Sequence, residues 1–356
     1  MSRAGNSPTS PDARAALALS MVEGVGCATF RQLMERFGSA ARVFDDAAWA
    51  GHRDRAFADA DAALADGART GMILLPWDDP RLPPGLADCD ERAPVLWALG
   101  DLTLLDDRPR VAIVGTRRAT AYGLRVTRAL AGAFARAGAC VVSGLARGID
   151  SAAHRAALEA GGSTIAVLGT GADVAYPPAN RALHAELASG NHGLVLSEYP
   201  PGEWANGGSF PRRNRIIAAL ASLTVIVEAG VKSGALLTAR WANTLNRSVG
   251  VVPGCIDQPQ SEGTNALIRD GAHIVTSVED ALALAGLTRP PRFPEPEAGS
   301  DEGAVWGALA HGGLDLDELC ARSALPADRC LAAVTALELR GAVECSLAGA
   351  VRRRIG

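Results

Sequence analysis

The stretch Phe210-Pro211-Arg212-Arg213-Asn214-Arg215 packs three arginines around one asparagine, directly after an aromatic ring and ahead of an apolar run. Cations at the start of a helix oppose its dipole, so such a cluster gains from an anionic partner. A phenyl ring beside it offers a face for an unpaired nucleobase, worth about 1 to 3 kcal/mol per base. The plainer reading makes Phe210 a core residue and the arginines a solvated helix start. Four further stretches share a composition of Gly, Ser, Thr and Arg: GTRRATAYG (115–123), SGLARGID (143–150), GTGADVAYPPAN (169–180) and EAGVKSGALLT (228–238). Small residues let a ligand approach the backbone, and helix N-termini with free N–H groups favour anions. Arg117, Arg118 and Arg147 would add ionic contacts.

These loops fail the familiar nucleotide patterns. After Gly115 a dinucleotide fingerprint needs glycine at 117 and 120, where Arg117 and Thr120 stand, and no acidic residue ends the next strand near Val141. Lys232 and Ser233 resemble the end of a phosphate-binding loop, but Val231 and Ile226 occupy its glycine positions. Ser143, Asp150 and His154 invite a hydrolase reading, with a strand-end serine near a histidine base. A nucleophile elbow needs glycine two residues before the serine, and Val141 is there. Asp150 is therefore expected to cap the helix that carries His154, and Ser143 to bond loop backbone. Glu228, at a strand end, reads equally as a buried loop organiser and as an acid catalyst. The seven cysteines are scattered without a CxxC pair, so no metal site, disulfide framework or cofactor is expected.

The elements that would hold these loops are legible from periodicity. From Arg110 onward, apolar runs (RVAIVG, ACVVSG, STIAVLG, GLVLSE, LTVIVEA, VGVVPG) alternate with helical stretches. That alternation predicts a parallel α/β sheet with helices on both faces, whose ligands bind where loops leave the carboxyl ends of the strands. Upstream, VEGVGCATFRQLMERFGSAARVF has helical periodicity around a Gly24–Gly26 turn. That turn either presents amides to a phosphate, as in helix-hairpin-helix modules, or is only a turn. MILLPWDDPRLPPGL and PVLWALG read as two short strands leading into the main sheet. Residues 286–300 contain four prolines and read as a linker. Beyond them the order helix, helix, helix, hairpin is a winged-helix pattern, with Pro326 in the first turn of its third helix. The expected domains are 1–75, 76–285 and 301–356.

The chain of 356 residues has a formal net charge of -4, spread unevenly. Residues 1–109 carry 11 basic and 17 acidic side chains, residues 110–270 carry 16 and 10, and residues 271–356 carry 8 and 12. An anionic polymer is thus expected on the middle segment. The N-terminus lacks a signal-peptide pattern, and the longest apolar stretch, Ile216 to Val227, is too short to cross a bilayer of about 30 Å. A cytoplasmic protein without a membrane segment is expected.

IVGTRRATAYG, VVSGLARGIDSAAHRAAL, GGSTIAVLGTGADVAYPPAN, LVLSEYPPG, FPRRNRIIAAL, VIVEAGVKSGALLTARWA, VVPG and GTNALIRDGA, in that order, resemble the DNA-processing protein A (DprA, also called Smf) family of bacteria. The resemblance implies an extended Rossmann-like domain, preceded by a sterile-alpha-motif-like (SAM-like) helical domain and followed here by a winged helix. It implies a non-catalytic role: protecting incoming single-stranded DNA in natural transformation and loading the RecA recombinase onto it. It places phosphate contacts at Arg117 and the Gly169-Thr170-Gly171 turn, and stacking at Phe210 beside the FPRRNR arginines. Some members have a lysine where this chain has Pro178; Arg181 stands three residues on. Dimerisation maps to Leu267 and Ile268, an apolar pair that reads equally as core. The DNA-binding set expected is Gly115, Thr116, Arg117, Ser143, Gly144, Arg147, Gly169, Thr170, Gly171, Arg181, Phe210, Arg212, Arg213, Asn214 and Arg215. The alternative expectation is a nucleotide or nucleoside-phosphate hydrolase, although EAGVKSG is the nearest stretch to the PGGxGT-type loop such enzymes carry.

Overall fold

The computed structural model describes residues 10–287, 296–297, 299–340, 342–346 and 349–353. It divides once, into compact units Met1–Thr288 and Arg289–Gly356. In the first unit, helices α1 (Pro11–Ser20), α2 (Cys27–Phe37), α3 (Ala40–Val43), α4 (Ala47–Ala50) and α5 (Arg53–Thr70) precede strands β1 (Ile73–Pro76), β2 (Val95–Gly100) and β3 (Arg110–Val114). Then follow α6 (Ala121–Arg136), β4 (Cys140–Ser143), α7 (Ile149–Glu159), β5 (Thr164–Leu168), α8 (Arg181–Ala188), β6 (Gly193–Ser197) and α9 (Ser209–Leu220). The unit finishes with β7 (Leu223–Ile226), α10 (Ala235–Thr244), β8 (Ser248–Val251), α11 (Glu262–Arg269), β9 (His273–Ile274) and α12 (Val278–Leu284).

The nine strands form one sheet in the order β1-β2-β6-β5-β4-β3-β7-β8-β9. Every pairing from β6 to β9 is parallel, whereas β2 joins β6, and β1 joins β2, antiparallel. The predicted runs leading into the sheet are thus its antiparallel extension. Strand β3 shows why the sequence reads as continuous apolar runs. Val111 and Ile113 face one layer with α6, α7 and α12, while Ala112 and Val114 face the other with α9 and α10. Two-faced burial demands apolar side chains at both parities.

The first five helices do not stand apart from the sheet. Leu17, Phe30 and Phe44 share a core with Leu74, Val95 and Trp97 of β1 and β2 and with Leu183 and Leu187 of α8. The expected break at residue 75 falls inside β1, because that strand is hydrogen-bonded to β2.

In the second unit, α13 (Asp301–Ala308), α14 (Leu316–Ser323) and α15 (Ala327–Leu339) enclose a small core around Val305, Leu319, Val334 and Leu337. Strands β10 (Val343–Cys345) and β11 (Val351–Arg353) pair antiparallel to complete the winged-helix pattern. Pro326 is the cap residue of α15, one place before the position expected of it.

Candidate nucleic-acid interface

The chain leaves β3 toward β4 on one side and later returns to pair β7 on the other side of β3. The loops after β3 and β7 therefore diverge, opening a crevice at the carboxyl ends where α/β sheets bind ligands. A cleft of roughly 600 Å³ occupies it, lined by Gly115, Thr116, Arg117 and Arg118 from β3, by Lys232, Ser233 and Gly234 from β7, and by Phe210, Arg213 and Asn214 from α9.

Its walls are held by buried carboxylates. Glu228 accepts hydrogen bonds from the Thr120 amide at 2.9 Å and from the Thr120 hydroxyl, and its own carbonyl accepts from the Thr116 amide at 2.7 Å. This ties the β3 loop to the end of β7. A Cβ at Gly123 would lie 2.3 Å from a Glu228 carboxylate oxygen, so only glycine fits the first turn of α6 there. Asp150 accepts from the Gly144 and Ala146 amides at 3.2 and 3.4 Å. Burial pushes its carboxyl up, against the pull of Arg213 and those amides. Asn180 donates to the carbonyls of Leu145 (2.8 Å) and Ala146 (3.3 Å), locking Leu145 at φ 55°. Left-handed backbone is unfavourable for leucine, and these bonds together with its full burial hold it there.

Asp150 thus organises the β4 loop; Gly148, not Asp150, is the cap residue of α7. Ser143 is fully buried and donates to the Ile113 carbonyl of the neighbouring strand at 2.6 Å, rather than to loop backbone. His154 Nδ1 lies 2.6 Å from Thr164 Oγ1, whose own proton goes to the Val141 carbonyl; His154 therefore donates through Nδ1. Burial first and Arg213 second press its pKa down to about 3. Serine and histidine are each committed elsewhere and form no nucleophile and base pair.

The expected DNA-binding residues separate into two groups. Arg117 and Arg118 are exposed on the cleft, and neither has an ion-pair partner among the described residues. The Arg117 guanidinium lies 5.5 Å from the centre of the Phe210 ring, and the Phe210 and Tyr176 ring centres are 5.1 Å apart with their planes tilted by 35°. Arg147 and Arg181 are exposed on the β4 loop and in the first turn of α8, outside the cleft lining. Arg212 is half exposed, 3.4 Å from Glu198.

The other members have side chains engaged inside the fold, although Arg213 and Asn214 still line the cleft floor. Arg215 is buried with only 1% of its side chain exposed, bound to both oxygens of Glu198 at 2.9 and 2.7 Å and to the Glu91 carbonyl at 2.6 Å. Arg213 is buried at the cleft floor, where it donates to the carbonyls of Gly144 (2.7 Å) and Val167. Burial lowers its pKa to about 10, with Asp150 opposing the shift and Arg117 adding to it. The Asn214 amide is spent on the Gly234 carbonyl at 3.1 Å. Ser143, Gly144 and the Gly169-Thr170-Gly171 turn are buried too, and the Thr170 hydroxyl donates to the Val174 carbonyl at 2.9 Å. The helix α9 begins at Ser209, so the arginine cluster lies inside it and its inward face points at the sheet.

Lys232 escaped the sequence reasoning, which tested it only against a phosphate-loop pattern. The available signal was composition: it is the sole lysine among 35 basic residues. It is exposed and, among the described residues, unpaired. The structure also places three of the ten carboxylates of residues 110–270 inside, namely Asp150, Glu198 and Glu228. Three arginines of the same segment, Arg110, Arg213 and Arg215, are buried as well, so its surface keeps the basic excess of its composition.

The winged-helix arginines contrast with these. Arg329 pairs with Asp301 at 2.5 Å and Arg340 with Glu302 at 2.6 Å, both acids on α13 and neither the Asp328 or Glu338 that neighbour them in sequence. Arg352 pairs with Glu344, Arg353 donates to the Trp306 carbonyl, and Arg354 lies outside the described residues.

Fold and cleft together define a Rossmann-like α/β protein whose switch point carries arginine, lysine and an aromatic ring in place of a nucleotide fingerprint. Residues 73–286 match the family profile of DNA recombination-mediator protein A, residues 289–350 the DprA winged helix domain, and residues 11–66 the DprA-like N-terminal HHH domain. The chain belongs to the DNA-processing protein A (DprA) family. It is 42% identical over 266 residues to a putative DNA processing protein DprA of Mycobacterium tuberculosis, covering 72% of this chain and 68% of that protein. The X-ray structure of DprA from Streptococcus pneumoniae superposes with a TM-score of 0.66 at 35% identity, over 76% of this chain and 95% of that one. DprA from Helicobacter pylori, whose structure is described as giving insight into a single-stranded DNA binding mode, superposes with a TM-score of 0.55 at 32% identity, over 61% of this chain and 97% of that one. The N-terminal helical domain expected from sequence is thus of the helix-hairpin-helix kind, with the Gly24–Gly26 turn between α1 and α2.

Proposed function

We propose that this protein binds single-stranded DNA, independently of sequence, along the carboxyl edge of its sheet. In this role it holds incoming DNA during natural transformation and hands it to the RecA recombinase, acting as a cytoplasmic homodimer without catalysis. One observation carries the reading: Arg117 is exposed, free of any ion pair among the described residues, and lies against the Phe210 ring. A guanidinium beside an aromatic face suits a phosphate and its unpaired base together. The single-stranded DNA mode described for the Helicobacter pylori relative supports it. Among the described residues, no helix is long and apolar enough to cross a membrane. Leu267 and Ile268 are half-buried on α11, which leaves part of each for a partner subunit.

The test compares binding of a labelled single strand and the same sequence as duplex, at about 50 and 200 mM salt. Preference for the single strand and a steep fall with salt are expected. Equal affinity for duplex, or affinity flat in salt, overturns the reading. Recombinase handover is read separately, as faster RecA filament assembly on strands coated with single-strand-binding protein.

A further inference from the structure

Trp204 is the one exposed tryptophan of the six, with 67% of its surface open to solvent. An indole left in water is an unused stacking and apolar face, and the surrounding loop is built to keep it in place. The Glu203 carbonyl accepts from the Gly171 amide at 2.8 Å, and the Gly202 amide donates to both Asp173 carboxylate oxygens at 3.0 Å. On the other side, Asn206 Oδ1 accepts from the Gly208 and Ser209 amides, each at 3.0 Å. Trp204 is thus flanked by fixed backbone.

The buried Gly169-Thr170-Gly171 turn explains where that loop sits. A Cβ at Gly169 would lie 3.0 Å from the Phe210 ring, and one at Gly171 would lie 2.6 Å from the Pro200 carbonyl and 3.1 Å from the Gly202 amide. The first glycine makes room for Phe210 and the second for the segment leading to Trp204. The turn that the family resemblance places at a phosphate is also the seat of the Phe210 ring and of the backbone that leads to Trp204.

We infer that Trp204 is a second base-stacking platform, extending the site from Phe210 toward the β6 side of the sheet edge. The site then has a cationic half over β3 and β7, with Arg117, Arg118 and Lys232, and an aromatic half over β5 and β6, with Phe210 and Trp204. Four strand spacings separate β6 from β7, which is about 19 Å at roughly 4.8 Å per strand. That distance holds a run of nucleotides, not one.

The inference rests on the proposed single-stranded DNA binding, and the experiment separates the two. The full chain is titrated with a thymine oligonucleotide and with an abasic deoxyribose-phosphate strand of equal length, following anisotropy and tryptophan fluorescence. Trp204→Ala is expected to weaken thymine-strand binding by about 5- to 100-fold, leave abasic-strand binding unchanged, and abolish most of the fluorescence quenching seen in the wild type. Trp204→Phe should recover most of the affinity without the quenching. Arg117→Ala should weaken both strands. If Arg117→Ala weakens both but Trp204→Ala binds the thymine strand like the wild type, the stacking inference alone falls. If Trp204→Ala weakens both strands equally, Trp204 acts on the fold or the backbone and the inference also falls. If the wild type binds neither strand, the DNA-binding reading falls with it.

Discussion

Arg117-Arg118 and Arg212-Arg213 are the same dipeptide on the same edge of one sheet, yet they finish in opposite environments. The first pair stands on a short loop whose backbone is fixed by Glu228, so its side chains are left to water and to whatever anion arrives. The second pair is in a helix that is buried all round from Arg213 to Leu220, so Arg213 and Arg215, about 200° apart around its axis, are both enclosed while Arg212 stays at the rim. Each buried arginine then finds a partner the local sequence does not contain: strand-end carbonyls for Arg213, and Glu198 and Glu91 for Arg215. Arginine density alone therefore does not mark a binding surface. Exposure together with the absence of an internal partner leaves an arginine available to a ligand.

The largest expected effect separates the two groups by stability. Arg215→Ala leaves Glu198 buried without its guanidinium and should cost about 3 to 5 kcal/mol, read as a lowered urea midpoint. Arg117→Ala should change the same midpoint by less than about 0.5 kcal/mol. Comparable losses in both would erase the distinction between structural and ligand-facing arginines.

A pH series tests the buried side independently. His154 is kept neutral in the fold, with its pKa down at about 3, because burial and Arg213 disfavour its charged form. The unfolded chain takes up that proton near pH 6.5, so this stabilisation is complete above about pH 6.5 and is lost as the pH falls toward 3. Asp150 is shifted up by burial and contributes with the opposite sign, its part fading as the pH rises through its folded value. The His154 contribution is isolated by difference: His154→Asn should show a flatter melting-temperature profile than the wild type between about pH 4 and 6.5. Parallel profiles would remove His154 as the source.

On the exposed side, Phe210→Ala should weaken single-strand binding by about 1 to 3 kcal/mol in anisotropy titrations. Arg117→Ala should weaken it about tenfold, near 1.4 kcal/mol. Unchanged affinity in either variant would take that side chain out of the site. The smallest effect is in salt dependence. Lys232→Gln and Arg118→Ala should each lower the slope of log affinity against log salt by about 0.7. Arg329→Ala, whose guanidinium is already satisfied by Asp301, should leave it unchanged. A reduced slope for Arg329→Ala would move part of the electrostatic surface to the winged-helix unit.

The parallel sheet was legible because burial on both faces writes itself as uninterrupted apolar runs, as in RVAIV and TIAVL. The cleft was legible to the extent that its loops combine small residues with arginine at strand ends, which placed Gly115, Thr116, Arg117 and Phe210 on it. The sequence was silent where a side chain's fate depended on a distant partner. It gave no sign that Arg213, Asn214 and Arg215 would bond Gly144, Gly234 and Glu198. Nor did it show that Phe210 and Pro200 would pack against the Gly169–Gly171 turn.

By itself the sequence determined which residues become strands and helices, where the basic excess lies along the chain, and that no standard nucleotide loop is present. These follow from periodicity, composition and local spacing, which are properties of neighbours in the chain. The tertiary structure decided which arginines are free to meet an anion. That choice rests on the burial of side chains and on partners more than a hundred residues away, such as Glu228 for the β3 loop and Glu91 for Arg215, and the local sequence carries no trace of either.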